Sequence, residues 1–195
     1  MQHLPTLGVA QKITRNLGRS FVVGAALVCA GSLAMAETRV DLNDAQIAHI
    51  AYTAGKIDME AATLALKITH NPGVKAFAEE MERDHASVNK QALALVEKLK
   101  VKPEDNDTSK SLIETAMKKR QELSKLSGAA FDLAYMQNEV TYHQTVNAAL
   151  EGTLIPDTKN YDLKDFLKTG LKLFQEHQAR AERLVSEMPR SSSAR

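Results

Sequence analysis

Acids and imidazoles recur at helical spacing in this 195-residue chain: Glu60, Glu82 three residues before His85, Asp132, Glu139 four before His143, and His177. Carboxylate and imidazole together suit divalent iron, manganese or zinc. A Glu-x-x-His word on one helix facing a glutamate on another is the ligand logic of di-iron and di-manganese carboxylate bundles. In such a centre glutamates bridge two ions, imidazoles cap them, and open positions activate oxygen or peroxide. The pattern is half complete here. Glu82-x-x-His85 fits it, but the residue three before His177 is Phe174, and Glu139 and His143 are four apart rather than three. Met81, one turn before His85, and Met136, one turn after Asp132, add a thioether option that favours copper as Cu(I). The plainer reading of both methionines is core filler.

The same residues admit a reading without any cofactor. Buried acids and imidazoles need partners and can satisfy one another, with His85 on Asp132 and His177 on Glu60 or Glu139. Such a closed network would fix helix register. The candidate metal ligands are therefore Glu60, Glu82, His85, Glu139, His143 and His177, with Asp84 and Asp132 behind them. The alternative is a non-catalytic structural or interaction bundle. His49 and His70 lie near helix ends and receive no role. No serine–histidine–acid word, phosphate loop or Gly-rich turn accompanies the set, so no catalytic residue is assigned and hydrolase and nucleotide-binding readings are poor.

Helices must position these residues, because strand alternation is missing and apolar residues recur every three to four positions. The first helix starts near Asp41, with Asp41 or Asn43 as its cap, and carries Ile47, Ile50, Ala54, Ile57, Ala61, Leu64 and Ile68. His70-Asn71-Pro72-Gly73 ends it and starts the second, which makes the two antiparallel neighbours. The second helix carries Phe77, Met81, His85, Val88, Ala92, Leu95 and Leu99. A polar loop from Pro103 to Thr108 precedes a short helix over 109–126, broken at Ser127-Gly128. A long helix over 129–150 follows, then a loop over 152–162 containing Pro156. Asn160 or Asp162 caps the last helix, whose stripe runs Leu163, Leu167, Gly170, Phe174, His177, Ala181 and Leu184.

Residues 1–36 read as a removable signal peptide: Lys12, Arg15 and Arg19, then an apolar run from Phe21 to Leu33, then Ala34-Met35-Ala36 before Glu37. The run is shorter than the ~20 apolar residues that span a bilayer. Cys29, the one cysteine, lies inside it. Residues 37–195 then hold no thiol, which excludes disulfides, thiolate metal sites and Cys-x-x-Cys-His haem attachment and suits an oxidising, periplasmic location. They lose three of the chain's 25 Lys and Arg and none of its 24 Asp and Glu, for a net charge of −2. Without a basic block, nucleic acid is a poor partner. No transmembrane span is expected after residue 36; association with the cell envelope stays open, and a protein partner is unknown. Residues 37–188 are expected to form one domain, and the serine-rich 189–195 a disordered tail.

Several words resemble one family. They are Asp58-Met59-Glu60-Ala61, Val74-Lys75-Ala76-Phe77-Ala78 leading to Met81-x-x-Asp84-His85, Gly128-Ala129-Ala130-Phe131-Asp132-x-x-Tyr135, His143-Gln144 and His177. Over about Asp44 to Leu184 the chain is similar to the secreted bacterial proteins grouped as domain of unknown function 4142, often labelled outer-membrane proteins. The resemblance implies a ferritin-like up-down four-helix bundle and export across the inner membrane, with no established activity. A β-barrel is not implied, since no alternating strands exist to build one. The expected fold is all-α: a four-helix bundle with a short extra helix before the third.

Overall fold

The computed structural model describes residues 42–188, so the expected signal segment 1–36 and tail 189–195 lie outside the described residues. Among the described residues all regular structure is helical. Helix α1 (Asp44–Ile68) opens on a capping box in which Asn43 accepts from Gln46 N and the Gln46 side chain reaches back to Asn43 N. Helix α2 (Pro72–Lys98) is capped by Asn71, which accepts from the amides of Gly73 and Val74, with Pro72 in the first turn, where a missing N–H costs nothing. Both starts match the sequence expectation. Helix α3 (Asp107–Leu123) begins two residues earlier than expected, because Asn106 forms a second capping box with Ser109. Gly128, at φ 56°, takes the left-handed conformation that favours glycine and opens α4 (Gly128–Ala149).

The expected loop after α4 is instead mostly helical. A π-helical turn (Leu150–Leu154) leads into a short α5 (Ile155–Asp157) before α6 (Tyr161–Glu187). Leu150 and Leu154 are both buried in the apolar cluster at this end of the molecule, and that packing holds the backbone helical past Gly152. Pro156 is accommodated in the first turn of α5.

Contacts between helix ends set the directions. Thr69, at the end of α1, donates to Asp132 near the start of α4. Lys98, at the end of α2, pairs with Asp162 at the start of α6. Asn106, before α3, donates to the carbonyl of Gln46 in the first turn of α1. Helices α1 and α6 therefore run one way and α2 and α4 the other. The four form a closed ring, α1 against α2, α2 against α6, α6 against α4, and α4 against α1. Helix α3 carries the chain back along the outside of α1, which makes it the one long crossover of the bundle.

Two apolar clusters fill the ring. Phe77, Met81, Phe131, Tyr135 and Met136 gather at one end. Ile47, Ile50, Val96, Leu163 and Leu167 gather at the other. Between these clusters each helix of the ring buries a polar residue: Asp58 on α1, His85 on α2, Glu139 and His143 on α4, His177 on α6.

Candidate metal centre

Three imidazoles from three helices meet in this polar layer. Ring centroids are 5.9 Å apart for His85 and His143, 5.4 Å for His85 and His177, and 5.5 Å for His143 and His177. All three side chains are buried, at 1–3 % exposure. Each ring is tethered through one nitrogen. His143 Nδ1 lies 3.0 Å from the carbonyl of Glu139; a carbonyl only accepts, so Nδ1 carries the proton and donates. His177 Nε2 lies 3.2 Å from Asp84 Oδ2. His85 Nε2 lies 2.6 Å from Asp58 Oδ2, an ion-pair contact without the alignment of a linear hydrogen bond. The other nitrogen of each ring, His85 Nδ1, His143 Nε2 and His177 Nδ1, is buried without a hydrogen-bond partner among the described residues.

Asp58 is the acid around which the layer is built. It is 1 % exposed and faces two imidazoles, its Oδ2 lying 3.4 Å from His143 Nε2 as well as 2.6 Å from His85. Burial works against its charge, but His85, joined by His143, holds its carboxyl well below the usual range. Burial, and then the neighbouring charge of Asp58, push Glu139 well above its usual value, so Glu139 keeps its proton and Asp58 carries the charge. Burial also lowers His143, and it lowers His177 to about 4, helped there by the neighbouring imidazoles. Neutral rings present lone pairs at neutral pH. With the proton of His143 on Nδ1, the lone pair of Nε2 points at an anionic oxygen 3.4 Å away. Two acceptors stand close there, an arrangement that a metal ion between them or a second proton on the ring relieves. Two ligands each bonded at ~2.1 Å to one tetrahedral ion stand about 3.4 Å apart.

Of the residues singled out in the sequence, His85, Glu139, His143 and His177 come together. Glu60 and Glu82 do not join them. Glu60 is partly exposed and pairs with Arg120 at 2.7 Å and Lys56 at 3.9 Å. Glu82 accepts from the Thr63 hydroxyl at 2.6 Å. Asp84 supports His177 as a second layer, whereas Asp132 takes the Thr69 hydroxyl at 2.5 Å, away from the layer. The pairings differ too: His85 meets Asp58 rather than Asp132, and His177 meets Asp84 rather than Glu60 or Glu139. Met81 and Met136 are buried in the apolar cluster as filler. Phe174, at the position a second bridging glutamate would need, stacks on His85 with centroids 4.8 Å apart and planes at 13°. Asp58 went unread as a ligand, although it lies four after Ala54 and three before Ala61, in line with the apolar stripe of α1.

A family model described as "Domain of unknown function (DUF4142)" matches residues 30–184. No curated protein matches the chain. Among solved structures, the chain is similar to a DUF305 protein from Streptomyces coelicolor, provisionally described as secreted. The two share 12 % identity and a TM-score of 0.62, over 73 % of this chain and 91 % of that one. At that identity the likeness speaks for the helical fold alone. The match over residues 30–184 carries the assignment: the chain belongs to the DUF4142 family, whose function is unknown.

Proposed function

We propose that this protein is an exported bundle that binds one first-row transition-metal ion through His85, His143 and His177, with Asp58 as the charged partner and Glu139 beside it. One observation carries the reading. Three buried rings from three helices converge, each held at one nitrogen by a carboxylate or carbonyl, and His85 Nδ1, His143 Nε2 and His177 Nδ1 have no hydrogen-bond partner among the described residues, His143 Nε2 standing 3.4 Å from the Asp58 carboxylate. Metal-binding histidines are held this way, the tethered nitrogen fixing tautomer and orientation. A closed hydrogen-bond network would leave no such nitrogens, since burying them unpaired is costly.

The donor set fits a borderline ion such as Zn²⁺, Fe²⁺, Mn²⁺ or Cu²⁺ better than Cu(I), because both core methionines pack elsewhere. It fits one ion better than two, because Glu60 and Glu82 are engaged on other partners and Phe174 fills the place of a bridging acid. One ring nitrogen from each histidine lies within 4.8 Å of the others, which supports a common site. The pattern of residues 1–36 supports export, and among the described residues no helix is long and apolar enough to cross a membrane.

Cobalt(II) is the direct probe. Titrated into the chelator-treated protein, it should give a visible spectrum of tetrahedral intensity that saturates at one ion per chain and is lost in His143→Ala and His177→Ala. A featureless titration, or one unchanged in both variants, would sink the proposal.

A further inference from the structure

Helices α4 and α6, which run in opposite directions, bring the same word to one groove. It reads Gln144-x-x-Asn147-Ala148-x-x-Glu151 through α4 and the turn after it, and Gln175-x-x-Gln178-Ala179-x-x-Glu182 on α6. Residues spaced by three and four share one side of a helix, and all eight line an open groove of about 330 Å³. Opposite directions put the first residue of each word beside the last of the other. Gln144 donates to Glu182 at 3.2 Å, and Gln175 donates to Glu151 at 2.8 Å. Gln178 adds a second bond to Glu182 at 2.9 Å. The groove thus repeats about a local two-fold, with one acid held at each end.

Amides, not cations, hold these acids. No basic side chain lines the groove, and neither Glu151 nor Glu182 has an ion-pair partner among the described residues. In each carboxylate one oxygen takes the amide bonds, and the other takes none from the described residues. At the centre Asn147, 5 % exposed, spends its amide on Gln178 at 2.9 Å and leaves Oδ1 without a hydrogen-bond partner. The groove is therefore rich in acceptors and carries two negative charges. Seven residues of helix separate its ends by ~10 Å, and each glutamate leans back along its own helix toward the middle. A single metal ion, bonded within ~2.6 Å of each oxygen ligand, does not reach both acids. Ala148 and Ala179, between the ends, are small and leave room for an alkyl chain.

We infer that this groove binds a linear diammonium ion, one ammonium on Glu151, the other on Glu182, and the methylene chain along Ala148 and Ala179. Binding there does not depend on the metal site proposed above. Acids already held in place lose less freedom on pairing than free ones do. Both are exposed, so the affinity is modest and falls as salt is added.

The probe is hexamethylenediamine, titrated by calorimetry into the chelator-treated protein at low ionic strength. Hexylamine is the comparison with one charge, and trimethylenediamine the comparison too short to reach both acids. The long diamine should bind saturably at one per chain and about fivefold more tightly than either. The side-chain amides of Gln144 and Gln175, one at each end, should both shift in nuclear magnetic resonance spectra on binding. Glu151→Gln and Glu182→Gln, both exposed and so tolerated by the fold, should each bring the diamine down to the affinity of hexylamine. Glu114→Gln, which removes an equally exposed acid from α3, should leave its affinity unchanged. Absence of saturable binding, equal binding of hexylamine or of the short diamine, or an equal loss in Glu114→Gln would overturn the inference. A shift at only one of the two amides would overturn it as well.

Discussion

Asp58 sits where a bundle normally places alanine or leucine, and the polar layer depends on that exchange. It is the anion that two of the three imidazoles face. Removing one partner from a buried ion pair costs ~3–5 kcal/mol, so Asp58→Asn is expected to lower unfolding free energy by about that much, read by chemical denaturation. Glu60→Gln, two positions along the same helix, removes a partly exposed pair with Arg120 and should cost less than about 1 kcal/mol. The second variant should keep metal binding and the first should lose it; equal behaviour of the two would contradict the placement of both acids. The histidines set the acid limit of the metal-stripped protein. His177 is held near 4 in the folded chain, below the ~6.5 of an unfolded one, so below pH 6.5 the unfolded state binds the extra proton. Stability should therefore fall as pH drops from about 6.5 to 4, by roughly 2–3 kcal/mol from this residue alone, and His143 adds to the fall in the same direction. A flat denaturation profile over that window would refute the burial of neutral rings. In the sequence His85 and His177 were legible because each interrupts an apolar stripe, and His143 because it falls in line with Asp132, Met136 and Glu139. Asp58 stands in line equally well, yet spacing alone does not separate an inward aspartate from one at the edge of a stripe.

Helix starts were legible because their chemistry is local: Asn43, Asn71 and Asn160 cap from positions readable in the chain. The turn over 150–157 was not, since Gly152 and Pro156 read as breakers and only the burial of Leu150 and Leu154 keeps it helical. The path of α3 was equally hidden. Its periodicity announces a helix, but long-range partners lay it along α1, among them Ser109 on His49 and Arg120 on Glu60. Close approach of α1 and α2 is what brings Asp58 to His85. It is set one turn away, where a Cβ on Gly55 would stand 2.4 Å from Asn89 Oδ1. Asn89 is buried and short, so it cannot swing clear. Gly55→Ala should therefore destabilise by about 1–3 kcal/mol as an overpacked contact and weaken metal binding by separating the two helices. A neutral or stabilised variant, as helix propensity alone would give, would show that the contact is not tight.

At the scale of the molecule, a polar layer between two apolar clusters is a fold whose weakest level is its middle, and a bound ion would strengthen that level. A ligand at 100 times its Kd adds ~2.7 kcal/mol, which for a domain of this size raises Tm by about 5–10 °C. Thermal scans of the protein with and without chelator should differ by that much, and His177→Ala should abolish the difference. The family assignment adds no chemistry, so the claim rests on three ring nitrogens without a hydrogen-bond partner among the described residues and the anion beside them. Elemental analysis of the protein isolated from its native compartment without chelator tests it most directly. The expected result is one equivalent of zinc, iron, manganese or copper per chain, lost in the His85→Ala and His177→Ala variants. A protein that arrives without metal, and stays so through titration with each of these ions, would contradict the account.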